Sequence, residues 1–159
     1  MDRYQSTLRR TVKISGIGLH SGREVHLEIC PAESNSGIVF QRTDSDNAVP
    51  VLVHPHHISN SELSTTIGAG DSRIATIEHL MAAIAGLGID NAYIKVDAPE
   101  IPIMDGSASP FVEKLVQAGI AKQDGFRKLY VIKKAFEVKM GDRVMRIEPA
   151  RRTTISCKI

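Results

Sequence analysis

Gly22-Arg23-Glu24-Val25-His26-Leu27-Glu28-Ile29-Cys30-Pro31-Ala32 is the stretch whose reading decides the fold. Val25, Leu27 and Ile29 alternate with His26 and Glu28, the period-two pattern of a strand with one covered face and one wet face. A related pattern lies far downstream, in Gly141-Asp142-Arg143-Val144-Met145-Arg146-Ile147-Glu148-Pro149-Ala150. The separation is 141 − 22 = 119 at the glycine and 149 − 31 = 118 at the proline. Each copy is followed by a strand-like run, Gly37 to Phe40 in one and Thr154 to Ile159 in the other. Chance stays open as an explanation for so short a match. A true repeat divides the chain into a first domain over 1–126 and a second, over 127–159, that is cut off after about three strands.

Outward from the first copy, Thr11 to Ile14 and Gly37 to Arg42 read as strands. Ser15-Gly16-Ile17-Gly18-Leu19-His20-Ser21-Gly22 carries three glycines in seven residues, which marks a tight turn or a close backbone approach. It is no dinucleotide fingerprint, because a strand and not a helix follows it. The polar stretch Asp44 to Ser61, with Pro50 and Pro55, reads as irregular around one short strand at Val49 to Val53. Residues 74–87 are the clearest helix: Ile77, Leu80, Met81, Ile84 and Leu87 recur at helical spacing, with Thr76 as N-cap and Gly86 or Gly88 as the stop. Asn91 to Asp97 reads as a strand. A second helix starts at Ser109 as N-cap, with Pro110 at its first position, and ends at Gly119. Leu129 to Ile132 and Arg143 to Ile147 read as further strands.

The bulk composition narrows the class. Of 159 residues, 42% are hydrophobic and 24% charged, as in ordinary globular proteins. With 4% aromatic residues and no Trp, the core is expected to be built from Ile, Leu, Val and Ala. A net charge of +2, with basic pairs only at Arg9-Arg10 and Arg151-Arg152, gives no case for nucleic acid. Two lone cysteines, Cys30 and Cys157, both in strand-like runs, suit a reducing compartment. The polar start Met1 to Gln5 leads into no apolar h-region, and no apolar run approaches the roughly 20 residues of a transmembrane segment. The expected location is the cytoplasm, compatible with weak association at a membrane surface.

The best chemical candidate is Thr76-Ile77-Glu78-His79. In the first turn of a helix the free N–H groups carry about half a positive charge. That field favours an ionised Glu78 and a neutral His79, the states required of a general base and a metal ligand. The bland alternative is a glutamate satisfying the helix dipole beside a half-exposed histidine. One histidine does not make a zinc site, since catalytic zinc usually takes three protein ligands. His20 could line a polar pocket beside the glycine loop. His54, His56 and His57 cluster around Pro55 and read as a solvated loop. In Ala98 to Ala108, Asp105-Gly106 is a turn signal, with Asp105 bonding nearby backbone N–H groups.

Ser15 to Gly22, Thr76 to Leu80, Ala85-Gly86-Leu87-Gly88-Ile89-Asp90-Asn91 and Glu100 to Ser107 together resemble the UDP-3-O-acyl-N-acetylglucosamine deacetylases, in order and in spacing. The resemblance covers essentially the whole chain and about half the family's usual length. It implies an α+β fold of two similar domains, each a sheet layer against two helices. It implies one zinc ion, held by His79 and by a His-x-x-x-Asp pair of the second domain, with Glu78 activating the zinc-bound water. A further second-domain histidine acts as acid or electrostatic stabiliser. The implied substrate is an acylated UDP-sugar whose acetamide is hydrolysed to acetate and a 2-amino sugar, the committed step of lipid A synthesis. Leu19, His20 and Leu63, with the adjacent Ser64 and Thr65, fall in segments that approach the family's active site. No residue here matches the second-domain ligands, so the chain alone is expected to be inactive and poorly stable around 127–159. The rival reading is a non-catalytic remnant or sugar-nucleotide-binding module of the same fold. A nucleotide-binding module of another kind lacks a phosphate loop.

Overall fold

The computed structural model describes residues 3–158. The chain forms two compact units, Met1–Arg127 and Lys128–Ile159. The first unit runs β1 (Tyr4–Leu8), β2 (Val12–Ile17), β3 (Glu24–Pro31), β4 (Ile38–Arg42), β5 (Val51–Leu52), β6 (Ile58–Asn60), β7 (Thr66–Ile67), α1 (Glu78–Gly86), β8 (Ala92–Val96), α2 (Ser109–Ala118) and β9 (Ile120–Phe126). Five strands make the main sheet in the order β2-β3-β8-β4-β5. All its pairings are antiparallel except β4 with β8. A parallel pair needs a crossover, and the connection from β4 to β8 contains α1.

The alternation in β3 does what its pattern requires. Val25, Leu27 and Ile29 are buried with Ile94 and Val96 of β8 and Phe40 of β4. The same core takes Leu80, Ala83 and Ile84 from α1 and Phe111, Leu115 and Ala118 from α2. Removing each Leu, Ile or Phe side chain from water contributes about 1.5–3 kcal/mol. The other face of the sheet is polar. Lys13, Glu28 and Lys95 stand opposite one another on β2, β3 and β8, with the Glu28 carboxylate 3.4 Å from each ammonium. The unit is thus a two-layer α+β domain.

A second antiparallel pair joins β1 to β9. Neither strand is visible in the hydrophobic pattern, because β1 buries Gln5, Ser6 and Thr7. Each is satisfied by hydrogen bonds. Gln5 Oε1 accepts from the Asn35 and Asn91 side of the loop layer, at 2.8 Å from Asn35 N and 2.9 Å from Asn91 Nδ2. The Asp90 carboxylate accepts from Ser6 N at 2.8 Å, and Thr7 Oγ1 accepts from Ala32 N at 3.0 Å. Arg127 then binds Asp90 through Nε, 2.9 Å from both oxygens, and donates to the Gly88 carbonyl.

Several expectations need correction. The first helix begins at Glu78 and not at 74. Ile74 bridges to Ile67 and Ala75 to Glu100, so these residues are extended, although Ile77 keeps the helical spacing. Thr76 is no N-cap. It sits at φ +60°, and its hydroxyl donates to Glu100 Oε1 at 3.1 Å. Ile77 takes the cap position, without a side-chain cap bond. At α2 the helix already includes Ser109, Ala108 holds the cap position, and Ser109 N donates to Ser107 Oγ at 3.1 Å. The strand expected at Val49 to Val53 shrinks to Val51–Leu52. The polar stretch after it holds a single 3₁₀ turn, Pro55–His57, and β6, which pairs with β7.

The second unit contains one antiparallel hairpin, β10 (Phe136–Met140) with β11 (Arg143–Ile147). Its two-residue turn puts Gly141 at φ +62°, the glycine-first pattern that hairpin turns favour. Residues 129–132, expected as a strand, have no regular structure. Residues 154–158 likewise form none, so Cys157 is exposed outside any strand. Ile159, the end of that expected run, lies outside the described residues, as do Met1 and Asp2 at the polar start.

Candidate active site

Glu78 and His79 are the first two residues of α1, and both are half-buried. Successive helical residues point about 100° apart, so the carboxylate and the imidazole face different directions from one turn. Glu78 is held from across a loop: its Oε2 accepts from Thr65 N at 2.9 Å, while Ile77 N donates to Thr65 O at 3.3 Å. Thr65 is therefore tied to the helix start at both backbone groups. Two residues before it, Leu63 stands 92% exposed at φ +61°. Leu63 and Thr76 are non-glycine residues in the left-handed region, which costs on the order of 1–3 kcal/mol each and persists only where the surroundings enforce it.

His20, Leu63 and Ser64 come together on one open cleft of about 340 Å³, with Ser21, Arg73 and Glu100 also on its wall. Leu19 is exposed beside His20 and is not on that wall. Glu78 and His79 are not on it either. They connect to it through Thr65, next in sequence to Ser64.

Asp105 accepts from Ser107 N and Ser107 Oγ, both at 2.9 Å, which is the turn role read from the sequence. The Ser107 N–H and hydroxyl hold the Asp105 carboxyl below its ordinary range, with a smaller contribution from the nearby His79 ring. His54, His56 and His57 are exposed, with ring centroids of His54 and His56 4.8 Å apart and His57 Nδ1 2.7 Å from Leu52 O. Among the described residues, no group of three or more His, Cys, Asp or Glu side chains is arranged to hold a metal ion. No helix among them is long and apolar enough to cross a membrane.

The residue missed by sequence reasoning is Glu100. It is 3% exposed and accepts from His20 N at 3.0 Å, Ser21 N at 2.9 Å and the Thr76 hydroxyl. Burial alone would raise its carboxyl, but the amides of His20 and Ser21 and the hydroxyls of Ser21 and Thr76 outweigh burial and hold it below the ordinary carboxylate range. The signal lay in the glycine loop. A Cβ on Gly18 would stand 2.5 Å from Glu100 Oε2, so the close backbone approach falls there.

Fold and site together define a two-layer α+β domain with consecutive Glu78 and His79 at a helix start, joined through Thr65 to a polar cleft. The chain belongs to the LpxC family, UDP-3-O-acyl N-acetylglycosamine deacetylase, whose profile matches residues 5–159. It is 48% identical over 153 residues to the UDP-3-O-acyl-N-acetylglucosamine deacetylase of Geobacter sp. (strain M21), covering 96% of this chain and 50% of the relative. The enzyme of that name from Methylococcus capsulatus is 47% identical over 145 residues, covering 91% and 48%. The Myxococcus xanthus protein is 44% identical over 155 residues, covering 98% and 49%. The chain thus spans about half the length of the curated relatives it matches.

Proposed function

We propose that this chain supplies one half of a zinc-dependent amidohydrolase site that removes acetate from a UDP-3-O-acyl-N-acetylglucosamine, the committed step of lipid A synthesis in the cytoplasm. The observation that carries the reading is the Glu78–His79 pair at the start of α1, with the Glu78 carboxylate oriented by Thr65 N. Among the described residues the donor set offers one imidazole and no closed metal site, which fits a three-ligand catalytic zinc whose other ligands come from the part of the relatives that this chain does not span. Zinc, when bound, supplies Lewis acidity to the acetamide carbonyl.

The chain's own residues do the following. His79, half-buried at the start of α1, offers one ring nitrogen to the metal. Glu78 takes a proton from the attacking water and is kept in place by the Thr65 amide. His20, Leu63 and Ser64 line the cleft that takes part of the acylated UDP-sugar, with Leu19 and Thr65 beside it. The second domain of the family supplies the remaining ligands, and 127–159 is its opening.

In the full-length protein carrying this half, Glu78→Ala lowers turnover by about 100-fold or more with zinc retained, and His79→Ala loses the zinc. Unchanged turnover removes Glu78 from the mechanism. A second reading, a non-catalytic sugar-nucleotide-binding remnant, is favoured by the lack of a three-residue metal group among the described residues. It requires a zinc-free protein that still binds the UDP-sugar.

A further inference from the structure

We propose that Glu100 is a positioning residue for this site: its buried carboxylate fixes the turn bearing His20 and the left-handed Thr76 in the one arrangement that starts α1 with Glu78 and His79 facing the reaction. The inference rests on the role given above to Glu78 and His79.

Two segments distant in sequence, residues 20–21 and residue 76, converge on this carboxylate. One oxygen, Oε1, takes both His20 N at 3.0 Å and Thr76 Oγ1 at 3.1 Å, so the glycine turn and the lead-in to the helix share a single acceptor. The other, Oε2, takes Ser21 N at 2.9 Å. Among the described residues no cation lies within ion-pair distance of Glu100, so the charge is balanced by hydrogen-bond donors alone. Burying a charge in that way costs several kcal/mol before its hydrogen bonds offset it. Such a group is a poor device for stability alone. It is a good device for geometry, because charge-assisted bonds are short and directional.

Thr76 explains what that geometry does. A β-branched residue at φ +60° is an outlier that its neighbours must hold. Its backbone neighbours are pinned, with Ala75 N on Pro99 O at 2.9 Å and Ile101 N on Ala75 O at 3.0 Å. Its side chain is pinned by Glu100, its one hydrogen-bond partner among the described residues. Two residues later the chain enters the helix at Glu78. A change of φ at Thr76 therefore rotates the first turn of α1, and with it Glu78 and His79. A displacement of about 1 Å at reacting groups is enough to lower a rate by about 100-fold.

The test uses the full-length protein that carries this half, zinc-loaded. Glu100→Gln keeps the size but turns an amide nitrogen toward a donor, and Thr76→Val removes only the hydroxyl. Both are expected to lower kcat by about 10-fold or more, the effect typical of residues that orient ligands, with KM unchanged in Thr76→Val, which leaves Glu100 and the His20 turn in place. Thr76→Ser, which keeps the hydroxyl, retains most of the turnover. Faster amide exchange at His20 and Ser21 in Glu100→Gln, but not in Thr76→Val, reports the separate arms of the clamp. Wild-type kcat in folded Thr76→Val overturns the proposal even where Glu100→Gln does not fold. The Glu78→Ala variant separates the two claims. Its inactivity beside fully active Glu100→Gln and Thr76→Val sinks the positioning role alone. Its full activity sinks the functional reading, and this inference with it.

Discussion

Val25 and Val144 hold matching places in two copies of one short pattern, as do Ile29 and Ile147. Both copies form the second strand of an antiparallel hairpin, and both glycines that open them lie at left-handed φ, +63° at Gly22 and +62° at Gly141. Yet Val25 and Ile29 are 0% exposed, whereas Val144 is 56% and Ile147 48% exposed. The pattern therefore specifies turn and pairing, while burial comes from elsewhere in the chain. In the first unit α1 and α2 supply the cover, and β8 continues the sheet. Among the described residues the hairpin β10-β11 is a two-stranded sheet of its own, and a lone two-stranded hairpin is marginal in water.

The largest effect expected from this contrast is at the paired isoleucines. Ile29→Ala should destabilise the first unit by about 2–5 kcal/mol, the range for truncating a packed core side chain. Ile147→Ala should change unfolding of the chain by no more than about 0.5 kcal/mol, as at exposed positions. Equal effects in urea denaturation would break the comparison. A smaller effect is expected from pH. Because Glu100 is held below the ordinary carboxylate range in the folded state, its contribution is fully present above the unfolded-state value and is lost as pH falls through the lowered one. Acid unfolding of the first unit should thus be less steep in Glu100→Gln than in wild type. An identical acid limb would remove Glu100 from the account.

The parts of the fold legible in the sequence are those where burial follows one period. β3, β8 and the middle of α1 read correctly because their buried positions are Val, Leu, Ile and Ala alternating or recurring against polar neighbours. β1 did not, because Gln5, Ser6 and Thr7 are buried on hydrogen bonds and look solvent-facing by residue type. The helix start was misplaced because Ile74 and Ile77 are buried for a different reason: an extended segment and a left-handed Thr76 feed them into the same core. At the site, Glu78 and His79 were visible as adjacent residues at a helix start. Glu100 was not, since a single glutamate among prolines carries no pattern. Only three-dimensional contact shows that it receives donors from residues 20, 21 and 76.

The central proposal is that His79 is one ligand of a zinc site that the described residues do not complete by themselves. Zinc stoichiometry tests it most directly, measured on the 159-residue chain after metal loading and desalting and compared with His79→Ala. The account predicts far less than one zinc per chain in both proteins. One tightly held zinc per chain, lost in His79→Ala, would contradict it.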